Sequence, residues 1–227
     1  MFPDNQTASV GRHFHFMNRP PNRAGFTLIE MIMVIAIILV LAGMVFGIYT
    51  LVKTQSARTK AKSEISQLGI ALENYRTDNG GYPQDPQKTD KLDPRNIADA
   101  TDISPTGKLA VSSKFLYESL TGDTNDNGTV TKNYAGDFFK PSRLGGPKVG
   151  NTVNPVQYIM DPFGNPYGYS TAGLLLDQEY RTALATNPNA TRPAQNSQGT
   201  QGYSPGFDLW STGGDTQGNS GKWVKSW

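Results

Sequence analysis

The longest apolar stretch of the chain covers residues 31–52, which are 22 positions without a charge. At a rise of ~1.5 Å per residue a helix of that length measures about 33 Å, against a hydrocarbon core of ~30 Å. A membrane-spanning helix is predicted. Beyond it the pattern changes while the helical period continues. Ala57, Ala61, Ile65, Leu68, Leu72 and Tyr75 recur at steps of four, four, three, four and three, the stripe of an amphipathic helix. Arg58, Lys60, Lys62 and Glu64 fill the other faces and read as solvated surface. Asn79-Gly80-Gly81 supplies a stop and Pro83 prevents continuation. One helix from Phe26 to about Asp78 is therefore predicted, roughly 80 Å long at ~1.5 Å per residue, which suits a stalk better than a compact domain.

The remainder reads as a small head of short elements. Residues 84–111 carry frequent Asp, Lys, Pro and Thr and predict a long loop. Ser112 or Ser113 caps a short helix through Leu120, with Phe115, Leu116 and Leu120 inward and Gly122 as its end. Residues 156–160, 167–170 and 207–210 are aromatic or branched runs bounded by Gly and Pro, the pattern of small antiparallel strands, and residues 161–167 form a compact turn between the first two. Residues 173–185 predict a helix with Leu174, Leu175, Tyr180 and Leu184 as its apolar set, followed by a polar loop over 188–205. The fold class that follows is α+β, a long N-terminal helix packed on a small antiparallel sheet. Its segments are residues 1–25, 26–52, 53–78 and a head over 79–227, with insertions at about 84–111, 122–150 and 171–205.

Composition narrows the chemistry. There is no Cys, and the only histidines, His13 and His15, precede Gly25. Thiolate catalysis, disulfides and Cys-based zinc sites are excluded, and a chain cut after Gly25 also lacks His-based triads. These absences argue against an enzyme. Net charge is +2, but Arg12, Arg19 and Arg23 against Asp4 all precede Phe26, leaving 18 charges of each sign beyond it. A neutral remainder gives no electrostatic case for nucleic acid. Neither a Gly-x4-Gly-Lys-Ser/Thr loop nor a Gly-x-Gly-x-x-Gly run occurs, so nucleotide binding has no support.

The order of features at the amino terminus is also informative. A secretory signal places its apolar region before the cleavage site, whereas here a small residue, Gly25, comes before the apolar run. Glu30 stands at the edge of that run, where an ionised carboxylate costs roughly 2 to 3 kcal/mol unless paired. Cutting after Gly25 creates an amino terminus one helical turn away, an obvious counter-charge in the same chain or in a neighbouring one. Gly43 and Gly47 form a Gly-xxx-Gly pair that permits close helix approach in lipid. Lys53, Arg58, Lys60 and Lys62 follow the span as closely as the arginines precede it, so charge asymmetry does not orient the helix.

Gly25-Phe26-Thr27-Leu28-Ile29-Glu30 with its long aliphatic sequel resembles the processing site of type IV pilins and pseudopilins. The resemblance implies cleavage between Gly25 and Phe26 by a prepilin peptidase, N-methylation of Phe26, and pairing of Glu30 with the amino terminus of an adjacent subunit. It also implies a cytoplasmic amino terminus before cleavage and a periplasmic head. Many members of the family carry proline where this chain has Gly47. Asn79-Gly80-Gly81-Tyr82-Pro83, Asp161-Pro162-Phe163-Gly164-Asn165-Pro166-Tyr167, and Phe207-Asp208-Leu209-Trp210-Ser211 with Gly213-Gly214-Asp215 and Trp223 resemble segments of the major pseudopilin of type II secretion.

Two loops are candidate calcium sites. Asp123, Asn125 and Asn127 match the first half of an EF-hand-like loop, although its twelfth position is Tyr134 and not Glu. In the resembled family a loop after the closing strand holds calcium through two separated aspartates. Asp215, with Asp208 before it, corresponds here, but no acidic residue follows Asp215. The expected function is a structural subunit of a type II secretion pseudopilus. The partners it implies are identical subunits in a helical filament, minor pseudopilins, the prepilin peptidase, an inner-membrane assembly platform and membrane lipid. A surface type IV pilin shares the stalk. A membrane-tethered module binding sugars or another envelope ligand through aromatics such as Tyr203 and Trp227 is the alternative of a different class.

Overall fold

The computed structural model describes residues 25–191 and 204–227; of residues 45–50 it describes the backbone alone. The chain divides into two compact units, residues 1–48 and 49–227. The first helix, α1, is Leu28–Asn79, 52 residues without interruption. It ends as the sequence predicts: the Gly80 amide donates to the Arg76 carbonyl at 2.8 Å, and Gly80 takes φ +79, a left-handed conformation that glycine adopts without steric cost.

Every large apolar side chain between Leu28 and Met44 is exposed, Leu28 itself by 77%. Among the described residues no helix is long and apolar enough to cross a membrane. The uncharged run that predicts a span includes residues 45–50, whose side chains fall outside the described set. In the second unit the predicted stripe is buried: Ala61, Ile65, Leu68 and Leu72 enter the core, joined by Ala71 and Glu64, while Ala57 and Tyr75 are half-buried. Glu64 is thus a correction, since it is 1% exposed and not part of a solvated face.

The expected loop over 84–111 is more structured than its composition suggests. It contains a short helix, α2 (Ile97–Ala100), and the start of the next, α3 (Lys108–Thr121). Ser112 and Ser113 are therefore not caps. They lie inside α3, and the Ser113 hydroxyl accepts the Ile159 amide at 2.9 Å. The cap position belongs to Gly107, while Asp102 accepts the Lys108 amide at 3.0 Å. Leu116 and Leu120 are buried as predicted, Phe115 only half, and Gly122 ends the helix with φ +68.

Among the described residues seven short strands follow in chain order, with one α-helix among them. They are β1 (Leu144–Gly145), β2 (Lys148–Val149), β3 (Thr152–Val153), β4 (Tyr158–Ile159), β5 (Gly168–Ser170), then helix α4 (Ala172–Thr186), then β6 (Asp208–Ser211) and β7 (Val224–Lys225). All pairings are antiparallel: β1 with β4, β2 with β3, and β5-β6-β7 in one sheet. The fold is α+β. The predicted turn between β4 and β5 is present, closed by the Gly164 amide on the Asp161 carbonyl at 3.0 Å and a bridge between Met160 and Pro166. Gly168 faces Trp210 across the sheet, and a Cβ there would sit 2.2 Å from the indole.

The main core joins the buried face of α1 to Leu116, Tyr117 and Leu120 of α3 and to Ile159, Tyr167, Tyr169 and Leu209 of the strands. A second cluster, Leu92, Ala100, Leu109, Trp210 and Trp223, draws its apolar groups largely from the segment that reads as loop. In α4, Leu174, Leu175, Tyr180 and Leu184 are only half-buried, so this helix lies on the surface of its unit.

Candidate processing and assembly site

Residues 25–27 precede the helix, so the Gly25–Phe26 peptide bond sits in non-helical backbone. Phe26 is 77% exposed, and nothing lies within 4 Å of where a Gly25 Cβ would be.

Four residues on, Glu30 is tied to the start of α1. Its Oε2 accepts from the Thr27 amide and from the Thr27 hydroxyl, each at 2.8 Å, and the Thr27 hydroxyl accepts the Glu30 amide at 3.4 Å. This reciprocal arrangement is a capping box, with Thr27 at the cap and Glu30 three positions later. A carboxylate in the first turn is also favoured by the helix dipole. The Thr27-x-x-Glu30 spacing is the sequence signal of this box. Glu30 is exposed.

Gly43 has nothing within 4 Å of an added Cβ, so its face of the helix is open to close approach. The surroundings of Gly47 lie outside the described residues, as do those of Tyr203 and of the segment before Gly25.

Most of the candidate calcium ligands accept backbone amides close to them in the chain. Asp123 accepts the Tyr117 hydroxyl at 2.8 Å, the Gly128 amide at 2.7 Å and the Asn127 amide at 3.3 Å, while Asn127 accepts the Thr129 amide at 2.8 Å. Asn125 is exposed. This loop is organised by its own amides. Asp215 accepts the Asn219 amide at 2.7 Å and faces the Lys222 ammonium at 3.5 Å. Asp208 is fully buried within β6, where one oxygen accepts the Ser204 amide at 3.0 Å and Oδ2 has no hydrogen-bond partner. Burial pushes its carboxyl up to about 6. Among the described residues no group of three or more His, Cys, Asp or Glu side chains is placed to hold a metal ion together.

A polar lock in the second unit escaped sequence reasoning. Glu64 of α1 accepts the Tyr167 hydroxyl at 2.7 Å and lies 3.2 Å from Nε of Arg143, whose guanidinium stacks 4.5 Å from the Phe138 ring centre. Burial, then the Glu64 charge, drives the Tyr167 hydroxyl far above its usual range, so it stays a donor. Nearby, Asp161 accepts the Phe163 and Asn165 amides at 2.9 and 2.8 Å and the Ser211 hydroxyl at 2.5 Å, with burial raising its carboxyl to about 6. These groups fix α1 and the β4–β6 region in one register. Partners 79 and 103 positions from Glu64 leave no trace in a single sequence.

Residues 20–46 match the model of the prokaryotic N-terminal methylation motif. Comparison with curated proteins and with solved structures finds no significant match.

Proposed function

We propose, from the premise that this chain is a type IV pilin-like protein bearing the N-terminal methylation motif, that it is a structural subunit of a type II secretion pseudopilus. Proteins of this kind are filament subunits rather than enzymes, anchored in the membrane and processed by prepilin peptidase before they assemble with copies of themselves. The observation that carries the reading is Gly25-Phe26-Thr27-Leu28-Ile29-Glu30, leading straight into a helix whose large apolar side chains from Leu28 to Met44 are all exposed.

In this reading the peptidase cuts between Gly25 and Phe26 and the new amine of Phe26 is methylated. Residues 26–52 hold the subunit in the inner membrane, with the head in the periplasm. Glu30 exchanges its Thr27 contacts for the amino terminus of an adjacent subunit, and Gly43 and Gly47 let neighbouring helices approach. Assembly then replaces lipid contacts by helix contacts. The inner-membrane platform and minor pseudopilins are the partners such a filament requires.

What supports the pseudopilus over a surface pilus is the resemblance of three head segments to the major pseudopilin: residues 79–83 at the end of α1, 161–167 between β4 and β5, and 207–211 along β6. Deleting the gene tests the choice. Loss of protein export with surface fibres intact is the expected result. Loss of long extracellular fibres with export intact makes the chain a surface pilin instead.

A further inference from the structure

Within the second unit, α1 and β7 border an open cup of about 310 Å³, lined by Gln55, Arg58, Thr59 and Lys62 on the helix and by Trp223 and Lys225 at the strand. Three of these side chains are cations and none is a carboxylate. Their charge is not cancelled nearby. Arg58 Nη1 donates to the Lys222 carbonyl, a neutral acceptor. Lys62 is exposed and makes no hydrogen bond or ion pair among the described residues. Lys225 lays its ammonium over the rings of Trp223 and Trp227, 5.5 and 5.4 Å from their centres. Burial pulls that ammonium below its ordinary range, and no carboxylate counters it. Lys222 is the exception, since it already faces Asp215 at 3.5 Å.

The cup begins where the apolar run stops. Residues 31–63 contain Lys53, Arg58, Lys60 and Lys62 and no acidic side chain. The first carboxylate, Glu64, is buried against Arg143 and Tyr167, with Lys60 3.8 Å from it. Arg58 follows Val52 by six residues, about 9 Å along the axis at ~1.5 Å per residue. The headgroup layer on each side of a bilayer is roughly 5 to 8 Å thick. Helix side chains lean toward the amino terminus, so those of Arg58 and Lys62 reach back toward that layer.

We propose that this cup receives the phosphodiester headgroup of an anionic phospholipid, with Arg58, Lys62 and Lys225 around the phosphate and Thr59 and Gln55 beside its polar substituent. The inference rests on the membrane-anchored reading above and adds to it a contact between the head and the membrane surface, which the subunit gives up when it leaves for a filament. A guanidinium matches a pair of phosphate oxygens, and each cation near an anionic surface is worth about fivefold in binding, less at high salt.

The test uses the full-length chain in nonionic detergent, titrated with phosphatidylglycerol or with phosphatidylcholine of the same acyl chains, and native mass spectrometry counts bound lipid. Phosphatidylglycerol is expected to bind at least about tenfold more tightly. Lys62→Gln and Lys225→Gln each weaken it about fivefold, while Lys62→Arg and a control in the β2–β3 hairpin, Lys148→Gln, change it less than about twofold. Lys62 has no partner to lose, so its variants melt with the parent. Inorganic phosphate at the lipid's concentration does not displace the lipid. Equal affinity for the two lipids, or equal effects of Lys62→Gln and Lys148→Gln, overturns the contact. Displacement by inorganic phosphate makes the cup a free-anion site and overturns the lipid. Alkaline carbonate washing of cell membranes separates the premise: a chain that stays in the pellet keeps the membrane-anchored reading whatever the lipid result, and a chain released by carbonate overturns that reading.

Discussion

The two halves of α1 have the same backbone and opposite circumstances. From Leu28 to Met44 every large apolar side chain is exposed, while from Ala61 to Leu72 the apolar stripe is buried against the strands and α3. Burying one such side chain is worth about 1.5 to 3 kcal/mol. The second half collects that stabilisation inside its own chain. The first half collects it only from something else, whether lipid or copies of the same helix. The difference explains why the first half is aliphatic on all faces and the second only on one.

The largest expected separation between the halves comes from equivalent truncations. Leu68→Ala, at a fully buried position, lowers the stability of the head by about 3 to 5 kcal/mol, while Ile38→Ala, exposed in the single chain, changes it by less than about 0.5. Thermal melts of the detergent-solubilised protein, followed by tryptophan fluorescence of the head, measure both. Equal losses would break the distinction.

Next in size is the polar lock. Glu64→Ala leaves Arg143 and the Tyr167 hydroxyl without their buried partner and costs about 3 kcal/mol in the same assay, whereas a volume-matched Glu64→Leu with Arg143→Met recovers most of it. A Glu64→Ala protein as stable as the parent would return this residue to the solvated face.

A smaller effect sharpens the comparison through pH. Burial raises the carboxyls of Asp161 and Asp208 to about 6 in the folded state, against about 3.9 unfolded. A raised carboxyl favours the protonated form in the fold. Its contribution is therefore fully present below about pH 4 and lost as pH rises through 6, by up to about 2 to 3 kcal/mol per group. Asp208→Asn, neutral at every pH, raises stability at pH 7 by about 2 kcal/mol and flattens its share of the pH 4 to 7 slope. Parallel slopes in parent and variant would contradict the assignment.

Much of this was legible in the sequence because it is local and periodic. The length of α1, its Gly80 stop, the turn over 161–167 and the Gly122 cap follow from spacing and turn chemistry alone. What escaped depends on contacts between distant residues. Glu64 lies one position from Ile65, on the flank of the stripe, and becomes buried only because Arg143 and Tyr167 meet it there. Leu92, Ala100 and Leu109 are too sparse to show a period, yet they collect around Trp210 and Trp223. Ser112 and Ser113 carry the chemistry of caps and are used instead to satisfy sheet amides. At the start of α1 the structure adds the capping box in which Thr27 donates to Glu30.

The central claim, that Gly25–Phe26 is cut and the exposed half of α1 thereby becomes an assembly surface, is tested most directly by the intact mass of the protein purified from its cell membrane. The account predicts a chain beginning at N-methylated Phe26. A mass equal to the uncut chain from Met1, or to a chain starting anywhere other than Phe26, would contradict it.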